Sequence, residues 1–218
     1  MDYAEERETI IETCRYMQSI GYFLGTWGNI SMRIGDRIML TPSRVDYDTM
    51  TPGDMVMIDM AGNKVEGDRN PTSEKEVHRQ IYLKRPDVKA VIHAHTAKCM
   101  AVSATEISEV PCLVEEMSQL LGGSIPLTLQ YVPAEEHKKL GEAAARVIGE
   151  KSGCILRNHG PVACGRDMKE AVLVSKVMEK ACSIYLDIAG NQRIEEIRPC
   201  YAESERYRYL YKYGKENT

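Results

Sequence analysis

The sequence predicts a layered, mixed α/β domain, and three observations carry that expectation. Residues 30–65 hold short apolar segments separated by turn signals. The middle of the chain alternates amphipathic helices with apolar strands. One long helix follows, from Asp167 to about Ala189. At 218 residues the chain suits one domain, 1–218.

The elements follow in order. Ile10, Ile11, Cys14, Met17 and Ile20 recur at helical spacing over residues 4–20, and Gly21 closes that helix. Gly25-Thr26-Trp27-Gly28-Asn29 reads as a loop. Ile30–Arg33 and Arg37–Leu40 read as a hairpin about Gly35-Asp36, broken at Thr41-Pro42-Ser43-Arg44. Asp54–Met60 is a third strand, and Ala61-Gly62-Asn63 turns into Lys64-Val65. A helix runs from about Ser73 to Lys84, between Pro71 and Pro86. The apolar run from Val88 forms a buried strand ending at His93-Ala94-His95, and Thr96–Ser103 is a short helix. Ser124–Tyr131 is expected as a strand and Ala134–Ile148 as a helix. Cys154–Arg157 and Val162–Cys164 are expected to flank a Gly160-Pro161 turn. Asp167 caps the long helix, and Glu203–Tyr213 reads as a last helix, although the alternation of Tyr207, Tyr209, Tyr211 and Tyr213 suits a strand as well.

Composition excludes several functions. A net charge of −4, with no run of like charge, argues against a nucleic-acid surface. No apolar stretch approaches the roughly 20 residues of a membrane span. The acidic, polar start does not read as a signal peptide. Seven scattered cysteines without a CxxC pair read as reduced and mostly buried. A cytoplasmic protein is expected, with neither nucleic acid nor membrane as partner.

The chemistry concentrates in the histidines. Three of the five fall at two places: His93 and His95 at a strand end, and His159 before Gly160-Pro161. Residues i and i+2 of a strand share a face, so two imidazoles project side by side, which suits chelation of one metal ion. Glu74, near a helix start, adds a carboxylate, and His78 at i+4 lies on its helix face as a supporting partner. Thr26, Asn29, Ser43, Thr72 and Ser73 bring small polar side chains to three loops, a cradle for one phosphate near a helix N-terminus.

Gly28-Asn29-Ile30-Ser31, Thr41-Pro42-Ser43, Val45-Asp46-Tyr47, Pro71-Thr72-Ser73-Glu74, His78, His93-Ala94-His95 and Asn158-His159-Gly160 together resemble the class II aldolase/adducin family. The resemblance runs from about residue 5 to 190. It implies a single three-layer α/β domain, 1–218, with a central, mainly antiparallel sheet flanked by helices. It implies a fourfold homotetramer with active sites between subunits. By the same resemblance, His93, His95 and His159 hold one Zn2+ per subunit, other divalent metals being alternatives. Glu74 ligates the metal at rest and swings away to act as acid and base. Asn29, Ser43, Arg44, Thr72 and Ser73, with Thr26 nearby, bind the phosphate of a sugar phosphate. The implied reaction cleaves a ketose 1-phosphate of the L-fuculose 1-phosphate kind to dihydroxyacetone phosphate and an aldehyde such as L-lactaldehyde.

Three departures stand out. Arg44 occupies a position where the family has glycine. Val114-Glu115-Glu116-Met117 lacks the family's aldehyde-side tyrosine, leaving Glu116 as the acid at that place. Tyr213 resembles a family tyrosine that closes over the site, in a divergent tail. The departures keep open an aldolase or dehydratase acting on 5-deoxyribulose or methylthioribulose 1-phosphate. A non-catalytic, adducin-like scaffold is disfavoured, because this chain has all three histidines and Glu74.

Overall fold

The computed structural model describes residues 2–190 and 193–213. Nine strands, β1 (Asn29–Ile34), β2 (Arg37–Leu40), β3 (Val56–Asp59), β4 (Lys64–Glu66), β5 (Ala90–His93), β6 (Glu109–Val110), β7 (Ile125–Pro126), β8 (Gly153–Leu156) and β9 (Gly160–Gly165), are described. Seven form one sheet in the order β4-β3-β2-β1-β5-β9-β8, with every pairing antiparallel; β6 and β7 make a separate pair. Six helices accompany them: α1 (Ala4–Ser19), α2 (Lys75–Lys84), α3 (Ala97–Ser103), α4 (His137–Ile148), α5 (Met168–Ile188) and α6 (Pro199–Tyr211). This is the expected three-layer arrangement.

Strand alternation builds the layers. On one face Ile38, Leu40, Val91, Val162 and Cys164 pack against Val77 and Ile81 of α2 and Leu140, Ala144 and Ile148 of α4. On the other, Met39, Ala90 and Ile92 meet Ile10, Ile11, Cys14 and Met17 of α1 and Ala171 of α5. A third apolar cluster joins α3, the far half of α5 and Ala202 of α6. The β1–β2 turn is the two-residue Gly35-Asp36 link, with Gly35 at φ +59°. Asp167 accepts the Glu170 N–H at 2.8 Å, capping α5 as its sequence position suggests.

Several local expectations are corrected. Ser124–Tyr131 is not a full strand: only Ile125 and Pro126 pair, Leu127 makes a single parallel bridge to Ile155, and Leu129 and Tyr131 are exposed. The third strand starts at Val56, because Pro52–Asp54 forms a 3-10 turn with Thr51 and Asp54 capping each other. The turn before β9 is Arg157-Asn158-His159, and Gly160-Pro161 already belongs to the strand. Asn158, at φ +53°, supplies the left-handed residue that asparagine tolerates. A π-helical turn at Met117–Leu121 carries no sequence signal that periodicity reads.

One end of the sheet gathers the chemistry. β1 begins and β5 ends there, with Asn29 directly opposite His93, and the β8–β9 turn delivers His159 beside them. Among the described residues no helix is long and apolar enough to cross a membrane.

Candidate active site

His93 is the last residue of β5, on the same face as Val91, and is fully buried. His95 lies beyond the strand, so strand alternation does not place it. Its backbone N–H donates to the Tyr22 carbonyl at 3.3 Å, which turns the chain and brings its ring to the same point. His159 comes from the turn after β8. That turn is anchored by Arg157, whose guanidinium donates to the carbonyls of Thr128 and Ile107 at 3.0 and 2.8 Å and to that of Thr105. The three ring centroids lie 4.8–5.1 Å apart with interplanar angles of 73–81°, a propeller of imidazoles.

The donor set fits a tetrahedral divalent cation. The three histidines offer ligand nitrogens that all lie within 4.8 Å of one another, and His93 Nε2 and His95 Nε2 are 3.1 Å apart. Zn–N bonds of about 2.05 Å at a tetrahedral angle put ligand atoms roughly 3.3 Å apart. The Glu74 carboxylate sits at the same spacing, 3.4 Å from His93 Nε2 and 3.1 Å from His159 Nε2. The His93 Nδ1–H donates to the Pro161 carbonyl at 3.0 Å, which leaves the Nε2 lone pair for a metal. Burial pushes the His93 imidazole down to about 3, and burial with the neighbouring His159 lowers His95, so both are neutral imidazoles at neutral pH, the form that can bind a metal.

Glu74 closes the residues before α2. The Thr72 hydroxyl accepts the Glu74 N–H at 3.3 Å, a local turn that fixes the backbone leading into α2. Burial alone would raise the Glu74 carboxyl. The facing His93 and His159 and a 2.7 Å hydrogen bond from Asn29 Nδ2 outweigh it and hold the group well below the usual carboxylate range. Gly28 sets up Asn29. At φ +115° it presses against the Phe23 ring, which a Cβ would meet at 2.4 Å, and its carbonyl accepts the Tyr47 hydroxyl at 2.5 Å.

The loops expected to hold phosphate are partly assembled. Pro42 and Pro71 form an antiparallel bridge, the Ser43 N–H donates to the Asn70 carbonyl at 2.9 Å, and the Thr72 N–H donates to Thr41 at 3.0 Å. Ser43, Arg44, Arg69 and Ser73 line a recess of about 590 Å³ there. Arg44 is exposed at φ +60°, a conformation that costs a non-glycine residue about 1 kcal/mol. The side chains of Asn29 and Thr72 instead turn inward to Glu74, and Thr26 is exposed on the neighbouring loop.

Glu116 and Tyr213 do not reach the histidines within one chain. They line a different groove, with Tyr22 and Lys98. Lys180 Nζ donates to Glu116 at 2.6 Å and holds its carboxyl below the ordinary value. One residue was overlooked in the sequence. Trp27, the only tryptophan, is 62 % exposed and stacks near His95, with centroids 6.4 Å apart at 23°. Its position between two glycines, two residues before Asn29, was the available signal.

The family described as Class II Aldolase and Adducin N-terminal domain matches residues 8–186. The L-fuculose phosphate aldolase of Escherichia coli (strain K12) is 33% identical over 177 residues, covering 81% of this chain and 80% of that protein. The L-fuculose phosphate aldolase of Methanocaldococcus jannaschii is 32% identical over 182 residues, covering 83% and 96%. A solved L-fuculose 1-phosphate aldolase superposes with a TM-score of 0.90 over 97% of this chain and 99% of its own; at 23% identity it shows the fold alone.

Proposed function

Because the chain belongs to the class II aldolase and adducin family, we propose that it is a zinc-dependent aldolase cleaving a ketose 1-phosphate to dihydroxyacetone phosphate and an aldehyde. The convergence of three imidazole nitrogens and one ionised carboxylate at a single point, with His93 buried and His95 and His159 half-buried, carries the reading. His93, His95 and His159 are the assigned metal ligands, with Glu74 as the fourth at rest. L-Fuculose 1-phosphate, giving L-lactaldehyde, is the assigned substrate, and the relatives named for that reaction support it.

Thr26, Asn29, Ser43, Arg44, Thr72 and Ser73 are assigned to the substrate phosphate, and Asn29 and Thr72 also contact Glu74. The recess lined by Ser43, Arg44 and Ser73 ends one residue from Glu74, so anchoring the phosphate orients the ketose toward the carboxylate. In cleavage the C4 hydroxyl gives its proton to an acceptor at the aldehyde end of the site, the C4–O carbonyl forms as the C3–C4 bond breaks, and that bond's electron pair stays with the three-carbon fragment. A bound divalent cation supplies Lewis-acid stabilisation of the charge left on the ketose oxygens. Glu74 then delivers a proton to C3. Contact with His93 and His159 keeps Glu74 ionised; once it moves off them, burial favours its protonated form, as proton delivery to carbon requires.

The aldehyde end is assigned to a neighbouring subunit of a fourfold tetramer. Glu116 and Tyr213 share one groove, and the site's own rim leaves Leu24 and Trp27 more than 60 % exposed, as surfaces covered by another copy would be. Glu116 and Tyr213 are both assigned to that end, where cleavage needs an acceptor for the C4 hydroxyl proton and the reverse condensation returns it. Residues 1–218 are assigned to one domain, and a cytoplasmic location fits seven free cysteines, six of them buried.

Dihydroxyacetone phosphate release, followed by coupled NADH oxidation, tests the assignment on L-fuculose, 5-deoxyribulose and methylthioribulose 1-phosphates. Release from the first supports it. Release only from another moves the substrate, and loss of water without carbon–carbon cleavage makes the protein a dehydratase.

A further inference from the structure

Behind Glu74 lies a line of buried polar groups that the reaction itself does not use. Asn29 Oδ1 faces His78 Nε2, His78 Nδ1 lies 2.7 Å from Ser31 Oγ, and Ser31 Oγ lies 2.9 Å from the Tyr82 hydroxyl. Each of these four side chains belongs to a residue at most 4 % exposed. They come from two elements only. Asn29 and Ser31 alternate onto the α2 face of β1, and His78 and Tyr82 are one helical turn apart on α2.

The direction of every hydrogen bond in this line follows from the charge at its end. An ionised carboxylate only accepts, so Asn29 must present its NH2 to Glu74. The amide oxygen then faces His78, which must donate from Nε2–H. That leaves Nδ1 bare, and it needs a donor, which Ser31 O–H provides. The Ser31 oxygen in turn accepts from Tyr82, whose hydroxyl also lies 3.1 Å from the Ser31 carbonyl. The reverse assignment is internally consistent up to Asn29, but it would put an amide oxygen against a carboxylate in a buried site.

We propose that Tyr82, Ser31 and His78 form a positioning chain that locks the Asn29 amide with its NH2 toward Glu74, holding the carboxylate against the three-histidine cluster. None of the three touches substrate. Their effect passes through Asn29 to the aim of Glu74, and so to the proton-delivery step. The role in catalysis rests on the aldolase reading above; the direction of the chain does not.

The deciding measurement is made on the wild-type protein. Zinc-loaded, 15N-histidine-labelled protein is examined by long-range 1H–15N NMR, with His78 identified by the resonances lost in His78→Gln. The Nε2–H tautomer is expected, and an Nδ1–H tautomer overturns the proposal. Kinetics supply the second arm. His78→Leu is expected to lower kcat roughly 10–100-fold, with KM for the ketose phosphate and the zinc content unchanged. His78→Gln, whose amide can donate to Asn29, is expected to recover most of that loss. Wild-type kcat in His78→Leu, or a loss in KM alone, overturns the proposal. If wild type cleaves no ketose phosphate, the aldolase reading fails, and the tautomer still decides the chain.

Discussion

Replacing Gly141 with alanine sets the helix-propensity rule against the packing of this fold. Gly141 lies in α4 where it crosses α2. A methyl group there would stand 2.4 Å from the Glu76 carbonyl oxygen, 2.6 Å from the carbonyl carbon and 3.0 Å from Gln80 Cγ. Relaxed carbon contacts are about 3.5–4 Å, so the helices must part by roughly 1 Å. In an open helix the change would stabilise by about 0.5–1 kcal/mol. Here the obstacle is backbone, and overpacking of that kind costs about 1–3 kcal/mol, so a net loss on the order of 1 kcal/mol is expected. The displaced helix starts directly after Glu74, whose carboxylate must keep its 3.1 and 3.4 Å approaches to His159 and His93. A misplacement of about 1 Å costs up to roughly 100-fold in rate. Urea unfolding followed by circular dichroism, with kcat and KM on the same preparations, reads both effects. The variant should unfold at lower urea and lose kcat more than KM. A Gly141→Ala protein more stable than wild type, with unchanged kcat, refutes the reasoning.

Acid should destabilise the protein through His78. Burial pushes its folded imidazole down to about 4 from 6.5. Between these values the unfolded chain binds more protons, so stability present above about pH 6.5 is lost as pH falls toward 4. The loss is about 2 kcal/mol between pH 7 and pH 4.5, and it should be missing from the urea titration of His78→Gln. Arg44→Gly should relieve the left-handed strain, gaining up to about 1 kcal/mol in unfolding free energy. The same variant should raise KM for the sugar phosphate while sparing kcat, because a charge-assisted phosphate contact is lost. Adding zinc to chelator-treated protein should change the fluorescence of Trp27, the sole tryptophan, which stacks near His95; no change at saturating metal would count against ligation by His95.

Much of this site was readable because its signals are local. Helices α1, α2 and α5 follow apolar spacing and caps, and the two-residue Gly35-Asp36 hairpin follows turn chemistry. His93, His95, His159 and Glu74 were legible as residue types at element ends, and the fold brings all four together. The misreadings arise where tertiary contacts override local pattern. Ser124–Tyr131 has strand-like composition, but only its first residues find a partner. His95 reaches the cluster through the Tyr22 carbonyl rather than by strand alternation. The contact of Asn29 with Glu74 is likewise tertiary and carries no local signal. Trp27 was passed over because a lone aromatic in a glycine-rich loop has no period. The groove shared by Glu116 and Tyr213 depends on α6 folding back over the π-helical turn, which spacing in sequence does not show.

Hydrogen exchange into dihydroxyacetone phosphate tests the central claim most directly, because it needs no knowledge of the aldehyde. The protein is incubated with dihydroxyacetone phosphate in D2O, and loss of the C3 proton signal is followed by NMR. Wild-type protein, chelator-treated protein and Glu74→Gln are compared. Stereospecific exchange of one C3 hydrogen by wild type, abolished by chelator, restored by zinc and absent in Glu74→Gln, is the predicted result. Exchange that persists in Glu74→Gln, or no exchange by fully metal-loaded wild type, contradicts the assignment of Glu74 as the proton-transferring group of a metal-dependent aldolase.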